Sequence, residues 1–581
     1  MKQKIWLLIT ISLIVLLALK LPLFLKKQLF NTHDLEYHAA RTANYYLALK
    51  QGQIPPRWAP NLNYSFGFPK FLFTYPLPYM ITTGFYLLTN HIELAINSYL
   101  FLMWLTGSLG MLMLARLKTH HPWLTLTTSL IYALSPFTLL NIFIRGALGE
   151  LAFFALLPWV FYLLEQQNQI RCWWYPLLGL IIGSGFLLSH HPSLFVALPL
   201  IVIWVLIKFK PQFLKKYWEK KLGLILAISL ISQFFWLPVL VESQYTVLNQ
   251  DAGLAPVLNK FPVPLSLLWP KLGYHWLKLK HTYPHDFDTS LGLASLIIIS
   301  ITVISLVNHF FIKKTNQTDF KMTYFWLIVF ILAVLLMLPI SIPVWQLIPL
   351  SKFLQFPWRL LWLTTFSSCM LLLNLNIAQL ITNKIFKPLL ICLGLVSLGY
   401  WWFTAKPIAY IHRDDYEWLE YTGTATSFDE FMPKWFDHEK NLKIEDPVIV
   451  NSLTEFNPKK RAANTVNQGE VEVLAWNGTQ MHYQVTATQS GFIIQRTAYF
   501  PGWEVMVNGQ QQSINYNHQL LPGRILIPIT AGTYKVQARF TNNTWARQLA
   551  DRLSILGLGL GLAIVLLKPS HLNYLKTGAT N

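Results

Sequence analysis

The densest group of side chains that could do chemistry lies near the N-terminus of the chain. Nine residues hold two histidines, an aspartate, a glutamate and an arginine: His33, Asp34, Glu36, His38 and Arg41. If 35–49 is helical, Asp34, His38 and Arg41 share one face, because residues three and four apart are neighbours on a helix. A carboxylate placed there could accept a proton from an attacking hydroxyl. The alternative is that Asp34 only caps the helix.

Further ionisable residues stand at the ends of long apolar segments. Arg145 and Glu150 flank one turn, His190 and His191 occupy another, and Arg359 opens a later segment. Arginine presents a bidentate fork to phosphate oxygens, and imidazole can bond a phosphate or a sugar hydroxyl. Structural alternatives stay open: an internal Arg145–Glu150 ion pair, a polar turn at the histidines, and an Arg359 side chain that reaches toward lipid headgroups.

The elements that must position these residues are apolar and long. Hydrophobic residues make up 54% of the 581 residues and charged residues only 12%, against roughly 25% charged in an average soluble domain. A helix that crosses a bilayer needs about 20 apolar residues. Suitable runs lie near 5–25, 97–115, 122–141, 147–165, 174–189, 194–208, 222–241, 290–312, 324–345, 359–381, 386–404 and 549–567.

One further apolar run, 71–89, is interrupted by Pro76 and Pro78. The orientation set by the basic loops requires that it not cross fully, as a re-entrant or interfacial segment buried in protein would do. If it does cross, another of these runs is not a span, and both alternatives stay open. The sequence therefore predicts a polytopic α-helical membrane protein with about 12–13 transmembrane helices.

Basic residues predict the orientation in the membrane. Lys and Arg number 46 against 26 Asp and Glu, a formal net charge of +20, and many stand in short loops such as 208–221. Such clustering is typical of cytoplasmic loops and does not favour nucleic-acid binding. We predict a multi-pass plasma-membrane protein with a cytoplasmic N-terminus. Its first outer loop would be 26–70 and a large outer loop would be 242–289.

Residues 405–548 have a different character, because charged residues return and short runs alternate apolar with polar residues. This alternation favours β-strands. Asn477-Gly478 and Asn508-Gly509 each stand between such runs, as type I′ hairpin turns require. We predict an extracytoplasmic antiparallel β-sandwich. The chain then divides into a transmembrane domain, this β-rich domain, and a final transmembrane helix with a short cytoplasmic tail, at 1–404, 405–548 and 549–581.

Several short motifs occur in order along most of the chain. They are His33-Asp34 with His38 and Arg41, Gly52-Gln-Ile-Pro-Pro-Arg-Trp58, Gly67-Phe-Pro69, Arg145-Gly-Ala-Leu-Gly-Glu150, Ser189-His-His191, Phe356-Pro-Trp-Arg359 and Tyr499-Phe-Pro-Gly-Trp503. With this order the chain resembles GT-C class membrane glycosyltransferases. More narrowly, it resembles the bacterial "6-pyruvoyl-tetrahydropterin synthase-related" membrane proteins and the YfhO-like proteins implicated in glycosylating lipoteichoic acid.

The resemblance implies a GT-C-like fold and an activity at the outer membrane face. Such enzymes take a sugar from a polyprenyl-phosphate carrier and, here, would pass it with inversion to a teichoic-acid-like or other envelope polymer. Asp34 matches the acidic residue that acts as base or metal ligand. Predicted contacts to the substrate or the lipid phosphate are His33, His38, Arg41, Arg57, Arg145, Glu150, His190, His191 and Arg359.

Metal use varies across the GT-C class, and the first outer loop has no Asp-x-Asp motif. A divalent ion (Mg or Mn) held by Asp34 and Glu150 is left open, and no cofactor is assigned. The predicted partners are membrane lipid, a polyprenyl-phosphate-linked sugar donor and an envelope polymer acceptor.

Two other functions remain open at this stage. A transporter or flippase for lipid-linked glycans would use the same helices and basic residues without a base, and internal repeat symmetry would favour it. A non-enzymatic scaffold would bind envelope polymer through 405–548 and would not need Asp34. The chain has no Walker A motif and no Gly-x-Ser-x-Gly motif, so a nucleotide-driven pump or a serine hydrolase is not supported.

Overall fold

A helical region reaches Thr404, and a β-rich region follows it before a last helix. The computed structural model describes residues 2–166, 174–209, 211–249, 263, 265–269, 289–312, 320–348, 354–375, 386–426, 429–437, 441, 448–450, 469–519 and 521–566. Most of the predicted outer loop 242–289 and the predicted tail after 566 lie outside the described residues.

Helices dominate the first region because an apolar environment forces backbone groups to bond within their own segment. The α-helices are Lys2–Ala18, Leu21–Phe24, Leu35–Lys50, Lys70–Phe73, Leu77–Thr89, Ile92–Lys118, Pro122–Ala133, Pro136–Leu140, Leu148–Glu165, Trp174–Leu187, His191–Lys208, Pro211–Ile231, Gln233–Glu242, Leu265–Leu268, Leu293–Ile312, Lys321–Met337, Ile342–Leu347, Leu361–Asn374, Phe386–Thr404, Asp415–Leu419 and Trp545–Leu566. Shorter 3₁₀ or π turns are Asn141–Arg145, Ser243–Tyr245, Val247–Asn249, Pro339–Ser341 and Pro357–Leu360.

The polytopic helical class is confirmed, although fewer helices than predicted are long enough to span a membrane. Among the described residues six are long and apolar enough, or eight when each of two bent helix pairs is counted as one span. Three shorter apolar helices accompany them: Ile5–Ala18, Trp174–Leu187 and Leu293–Val307. Among the described candidate spans the most enclosed is Pro122–Arg145, in which 94% of the most apolar 18-residue stretch is buried inside the protein.

The proline-interrupted run 71–89 forms the helix Leu77–Thr89, which has 13 residues. At 1.5 Å per residue it is about 20 Å long, shorter than the roughly 30 Å hydrocarbon core.

The β-rich region contains two antiparallel sheets. In sheet order, the larger holds β4 (Gly469–Asn477), β5 (Gln480–Ala487), β10 (Gly532–Phe540), β7 (Trp503–Val507) and β8 (Gln510–Gln512). The smaller holds β3 (Val448–Val450), β6 (Gly491–Ala498) and β9 (Arg524–Ile529). Buried side chains of both sheets share one core, as in the predicted sandwich; Tyr483, Val505 and Ile527 are examples.

The two predicted hairpin turns have different outcomes. Asn508 and Gly509 connect β7 to β8 with φ of 50° and 79°, as a type I′ turn requires. The other turn consists of Gly478 and Thr479, and Asn477 is the last residue of β4, so the predicted dipeptide was wrong by one position. The side-chain oxygen of Asn477 accepts hydrogen bonds from the backbone N–H groups of Thr479 and Gln480 at 3.1 and 2.7 Å.

Several contacts attach the β-rich region and the last helix to the helical region. A short strand β1 (Leu29–Phe30) in the first loop pairs with β2 (Tyr410–Ile411). Arg547 is fully buried, and its Nη2 lies 2.6 Å from Glu242 Oε2. These contacts place the segment after Thr404 against the first loop, where the candidate site lies.

Candidate functional site at the first loop

A partly open cavity of about 150 Å³ lies where the first loop, 26–70, meets the turns between several helices. Eight predicted site residues line it: His33, Asp34, His38, Arg41, Arg145, His190, His191 and Arg359. The first-loop helix Leu35–Lys50 therefore presents the face predicted from its spacing. Residues that are far apart in the sequence meet here because the packed helices bring their ends together.

Asp34 stands at the N-cap position of this helix, but its side chain makes no capping hydrogen bond. The hydroxyl of Thr32 accepts a bond from the N–H of Leu35 instead, at 3.2 Å. The N–H of Asp34 donates to the carbonyl oxygen of Arg145 at 2.9 Å, which fixes its backbone. Its side chain is 33% exposed, and Oδ2 lies 4.0 Å from Arg145 Nη2. The carboxylate is thus held at the cavity without being used as a cap.

Glu150 joins two arginines beneath the cavity. Its Oε2 accepts a hydrogen bond from Arg145 Nη1 at 2.5 Å, and its Oε1 lies 2.9 Å from Arg359 Nε. His190 Nε2 lies 3.9 Å from the same Oε1. The ion pair considered from the sequence is therefore present and includes a second arginine. Arg359 is 7% exposed, so it does not reach toward headgroups.

A π-helical turn positions Arg145. The turn spans Asn141–Arg145, and the side-chain oxygen of Asn141 accepts a bond from Arg145 Nη1 at 2.8 Å. Gly146 follows with φ of 64°, and a Cβ atom there would collide with the side chains of Leu35 and Thr32. A π-turn inserts an extra residue into a helix and is frequent at functional sites. Here it lets the first loop approach the end of a buried span.

His38 and Arg41 share one partner on the cavity wall. His38 Nδ1 lies 2.8 Å from the hydroxyl of Tyr79, and Arg41 Nη1 donates to that hydroxyl at 3.2 Å. Arg41 Nε also donates to the carbonyl oxygen of Ala425 at 2.8 Å. Burial, reinforced by the charge of Arg41, holds the pKa of His38 well below its usual value. His38 is therefore neutral near pH 7.

The two histidines of the turn differ in their hydrogen bonding: His190 Nδ1 has a partner and His191 Nδ1 has none among the described residues. His190 Nδ1 lies 2.8 Å from Ser193 Oγ, and its ring meets Tyr75 edge-on with centroids 5.4 Å apart. Burial and the nearby Arg359 keep the pKa of His190 well below the ordinary value. The ring of His191 lies 5.9 Å from that of Tyr75, and its Nδ1 is buried without a hydrogen-bond partner in the described structure.

Sequence reasoning missed several residues that line the cavity, among them Lys70, Thr74, Tyr75 and Glu430. Lys70 is 1% exposed, and burial lowers its pKa well below the ordinary value. A lone lysine between Pro69 and the apolar Phe-Leu-Phe that follows was a usable signal. No comparable signal in the sequence pointed to Glu430, because only tertiary packing brings it to the first loop.

One predicted site residue, Arg57, and the aromatic motif Tyr499-Phe-Pro-Gly-Trp503 lie away from the cavity. Arg57 is 2% exposed and forms a two-pronged ion pair with Asp551 of the last helix, with Nη2 to Oδ1 at 2.6 Å. Phe500 and Trp503 of the aromatic motif are buried in the sandwich core. Neither group faces the cavity that holds Asp34.

The cavity residues do not fit a divalent metal. Among the described residues, no three His, Cys, Asp or Glu side chains lie together as a metal site requires. Both oxygens of Glu150 face arginines, and Arg145 also approaches Asp34. A divalent cation between Asp34 and Glu150 would be repelled by these arginines.

Comparison with known proteins defines the family. No curated protein matches the sequence. The family described as "6-pyruvoyl-tetrahydropterin synthase related domain; membrane protein" matches residues 72–412, which is more than half of the chain. The matched range includes Arg145, Glu150, His190 and Arg359 and starts after Asp34. The chain therefore belongs to the 6-pyruvoyl-tetrahydropterin synthase-related, YfhO-like family of membrane proteins.

Proposed function

We propose that this protein is a membrane glycosyltransferase that moves a sugar from a polyprenyl-phosphate carrier to a polymer of the cell envelope, such as a teichoic acid. The family and its multi-pass membrane character support a membrane glycosyltransferase in general. The donor, the acceptor and a reaction on the outer face of the plasma membrane are our proposals.

The observation that carries the proposal is the position of Asp34. Its carboxylate is partly exposed at a cavity lined with basic groups, and it is not used to cap its helix. In the proposed step, the acceptor hydroxyl oxygen bonds to the anomeric carbon of the sugar. The bond from that carbon to the phosphate oxygen of the carrier breaks, and its electron pair stays on the phosphate. The hydroxyl proton passes to Asp34.

Arg145 and Arg359 are the proposed contacts to the phosphate of the carrier. Each lines the cavity, and Glu150 holds one edge of each guanidinium. Arginines fixed in this way are ready to stabilise the negative charge that grows on the leaving phosphate. Glu150 is then a positioning residue rather than the base.

Sugar transfer by the full-length protein in lipid nanodiscs tests this proposal. The assay offers a panel of polyprenyl-phosphate sugars as donors and envelope polymer as acceptor, with wild type beside Asp34→Asn. Loss of a positioned general base typically lowers the rate by about 100-fold or more, so we expect a loss of that size.

Glu36→Gln is the matched control. Glu36 lies two residues away on the same helix and pairs with Arg413 at 2.6 Å, outside the cavity. Its substitution should leave transfer unchanged. Wild-type transfer by Asp34→Asn would contradict the role of Asp34. No transfer by wild type with any donor would contradict the enzyme and would favour a flippase or a polymer-binding scaffold.

A further inference from the structure

Four side chains of the cavity, which we name the polar wall, carry polar atoms without partners: Lys70, Thr74, His191 and Glu430. Thr74 Oγ1, His191 Nδ1 and Glu430 Oε2 are buried and make no hydrogen bond in the described part of the chain. Lys70 Nζ lies 4.6 Å from the ring centre of Phe431 and has no hydrogen bond or ion pair with described residues. All four line the same cavity.

Such a concentration of unpaired groups points to a ligand. More than nine in ten buried polar groups in proteins have a partner, because an unpaired one loses its hydration without compensation. Thr74 is 3% exposed and its hydroxyl oxygen is buried, so bulk water does not satisfy it. The arginines of the same cavity, in contrast, already bond protein oxygens. Arg359 Nε is also buried without a hydrogen bond among the described residues, although it lies 2.9 Å from Glu150 Oε1, so the polar wall holds most of the unpaired groups of the cavity.

The types of these groups define the chemistry of the ligand. The amino group of Lys70 donates, and a carboxylate of Glu430 only accepts. The hydroxyl of Thr74 can do both, and an imidazole nitrogen does either according to its tautomer. A bare anion would satisfy Lys70 but would face the like charge of Glu430. Neighbouring sugar hydroxyls, which both donate and accept, satisfy all four groups.

We infer that the polar wall is a monosaccharide subsite that bonds the hydroxyls of the sugar being transferred. The rings of Tyr75 and Phe431 also line the cavity and supply apolar surface for the C–H groups of a sugar. Glu430 comes from the segment after Thr404, so the C-terminal part of the chain completes the subsite. The inference rests on the proposed function only in naming this sugar as the transferred one.

Binding of simple glycosides to the full-length protein in nanodiscs tests the subsite without any need for transfer. The probes are the methyl glycosides of glucose, galactose and N-acetylglucosamine, followed by saturation-transfer NMR. Thr74→Val and Glu430→Gln preserve shape but remove a hydroxyl or a charge. For the glycoside that binds wild type, we expect the Kd to rise about tenfold in each variant.

A second readout separates binding from structure. Because Thr74→Val removes an unpaired buried hydroxyl, the ligand-free variant should melt at the same temperature as wild type or higher, although it binds sugar less well. If Thr74 had only a structural role, Thr74→Val would lower both the melting temperature and the affinity for sugar. Thr83→Val is the matched control, since the hydroxyl of Thr83 is also buried and unpaired among described residues but does not line the cavity.

The remaining outcomes distinguish failure of the proposed sugar subsite from failure of the proposed transfer activity. Equal glycoside binding by Thr74→Val, Glu430→Gln and Thr83→Val would overturn the subsite, even if the protein transfers sugar. The subsite would also be overturned if the wild-type protein bound none of the glycosides. The same would hold if the wild-type protein bound inorganic phosphate and only Lys70→Met abolished that binding. Glycoside binding that both variants weaken would support the subsite, even if no transfer occurs.

Discussion

At the scale of single residues, Glu150 shows how the cavity tolerates several buried charges. It is 3% exposed and lies between Arg145 and Arg359, with distances of 2.5 and 2.9 Å. A buried charge persists only when it is paired, because removal from water costs several kcal/mol per ion. Glu150 thereby keeps two arginines ordered at the edge of the cavity, where the proposed phosphate would lie.

His38 leads to a prediction of pH dependence. Its pKa is well below 6.5 in the folded protein because it is buried, whereas in the unfolded chain it titrates near 6.5. Below that value the unfolded chain binds a proton that the folded protein does not. The free energy of unfolding should therefore fall on acidification below pH 6.5, by up to about 1.4 kcal/mol per pH unit from this residue. Unfolding measured from pH 8 to 5 should show a shallower loss in His38→Gln.

His412 provides a control of opposite sign. It is exposed and hydrogen-bonds Glu93 at 2.9 Å, which raises its pKa. Its contribution to stability is present below pH 6.5 and is lost as the pH rises through its folded-state pKa. His412→Gln should therefore make the acid-induced loss steeper. Identical pH profiles for wild type, His38→Gln and His412→Gln would contradict both assignments.

At the scale of elements, the site depends on the contact between the first loop and the π-turn. The N–H groups of His33 and Asp34 donate to the carbonyl oxygens of Ile144 and Arg145 at 3.0 and 2.9 Å. This contact sets the position of Asp34 relative to the arginine. It is possible only because the residue after the turn, Gly146, has no side chain.

Gly146→Ala should both destabilise the protein and lower its activity. A left-handed conformation costs an L-residue about 1–2 kcal/mol, and the new methyl group would also collide with Leu35 and Thr32, which adds about 1–3 kcal/mol. The first loop must then move away, and Asp34 moves with it. Thermal unfolding and the transfer assay measure the two effects.

Gly52→Ala separates strain from collision. Gly52 also has a positive φ, 84°, but a Cβ atom there has open space around it. It should lose stability through strain alone and keep its activity. If Gly146→Ala behaved like Gly52→Ala in both assays, the close approach would not matter for the site.

At the scale of the whole molecule, the β-rich region takes part in the site. Ala425 accepts a hydrogen bond from Arg41, and Glu430 and Phe431 line the cavity. The buried Glu242–Arg547 pair and the Arg57–Asp551 pair attach the last helix near the same loop. The isolated segment 405–548 would therefore lack most of the cavity.

The orientation in the membrane remains a prediction, and cysteine labelling tests it. In a chain whose three cysteines are replaced by serine, Gln511→Cys would place a thiol at an exposed position between β7 and β9. A membrane-impermeant maleimide should label it in intact cells. His120 is exposed and follows Arg116 and Lys118, whose positive charges predict a cytoplasmic loop, so His120→Cys should be labelled only after permeabilisation. The reverse pattern would place the β-rich region inside the cell and contradict the proposed reaction side.

Local patterns in the sequence determined the class of the protein and one face of its site. Apolar runs of helical length predicted the membrane region, and period-two alternation predicted the β-rich region. The spacing of Asp34, His38 and Arg41 was sufficient to place them together, because helix geometry fixes which residues are neighbours. The Asn508-Gly509 turn followed from its dipeptide, since both residues accept a positive φ.

Only the tertiary structure decided how distant segments complete the site. Glu150 bonds Arg359, and Glu430 reaches the first loop, through contacts that no local periodicity encodes. Arg57 had the chemistry of a phosphate ligand but pairs with Asp551 instead. The contacts that a charged side chain makes depend on which helices pack against each other. That packing follows from the fit of whole surfaces, so a short motif cannot specify it.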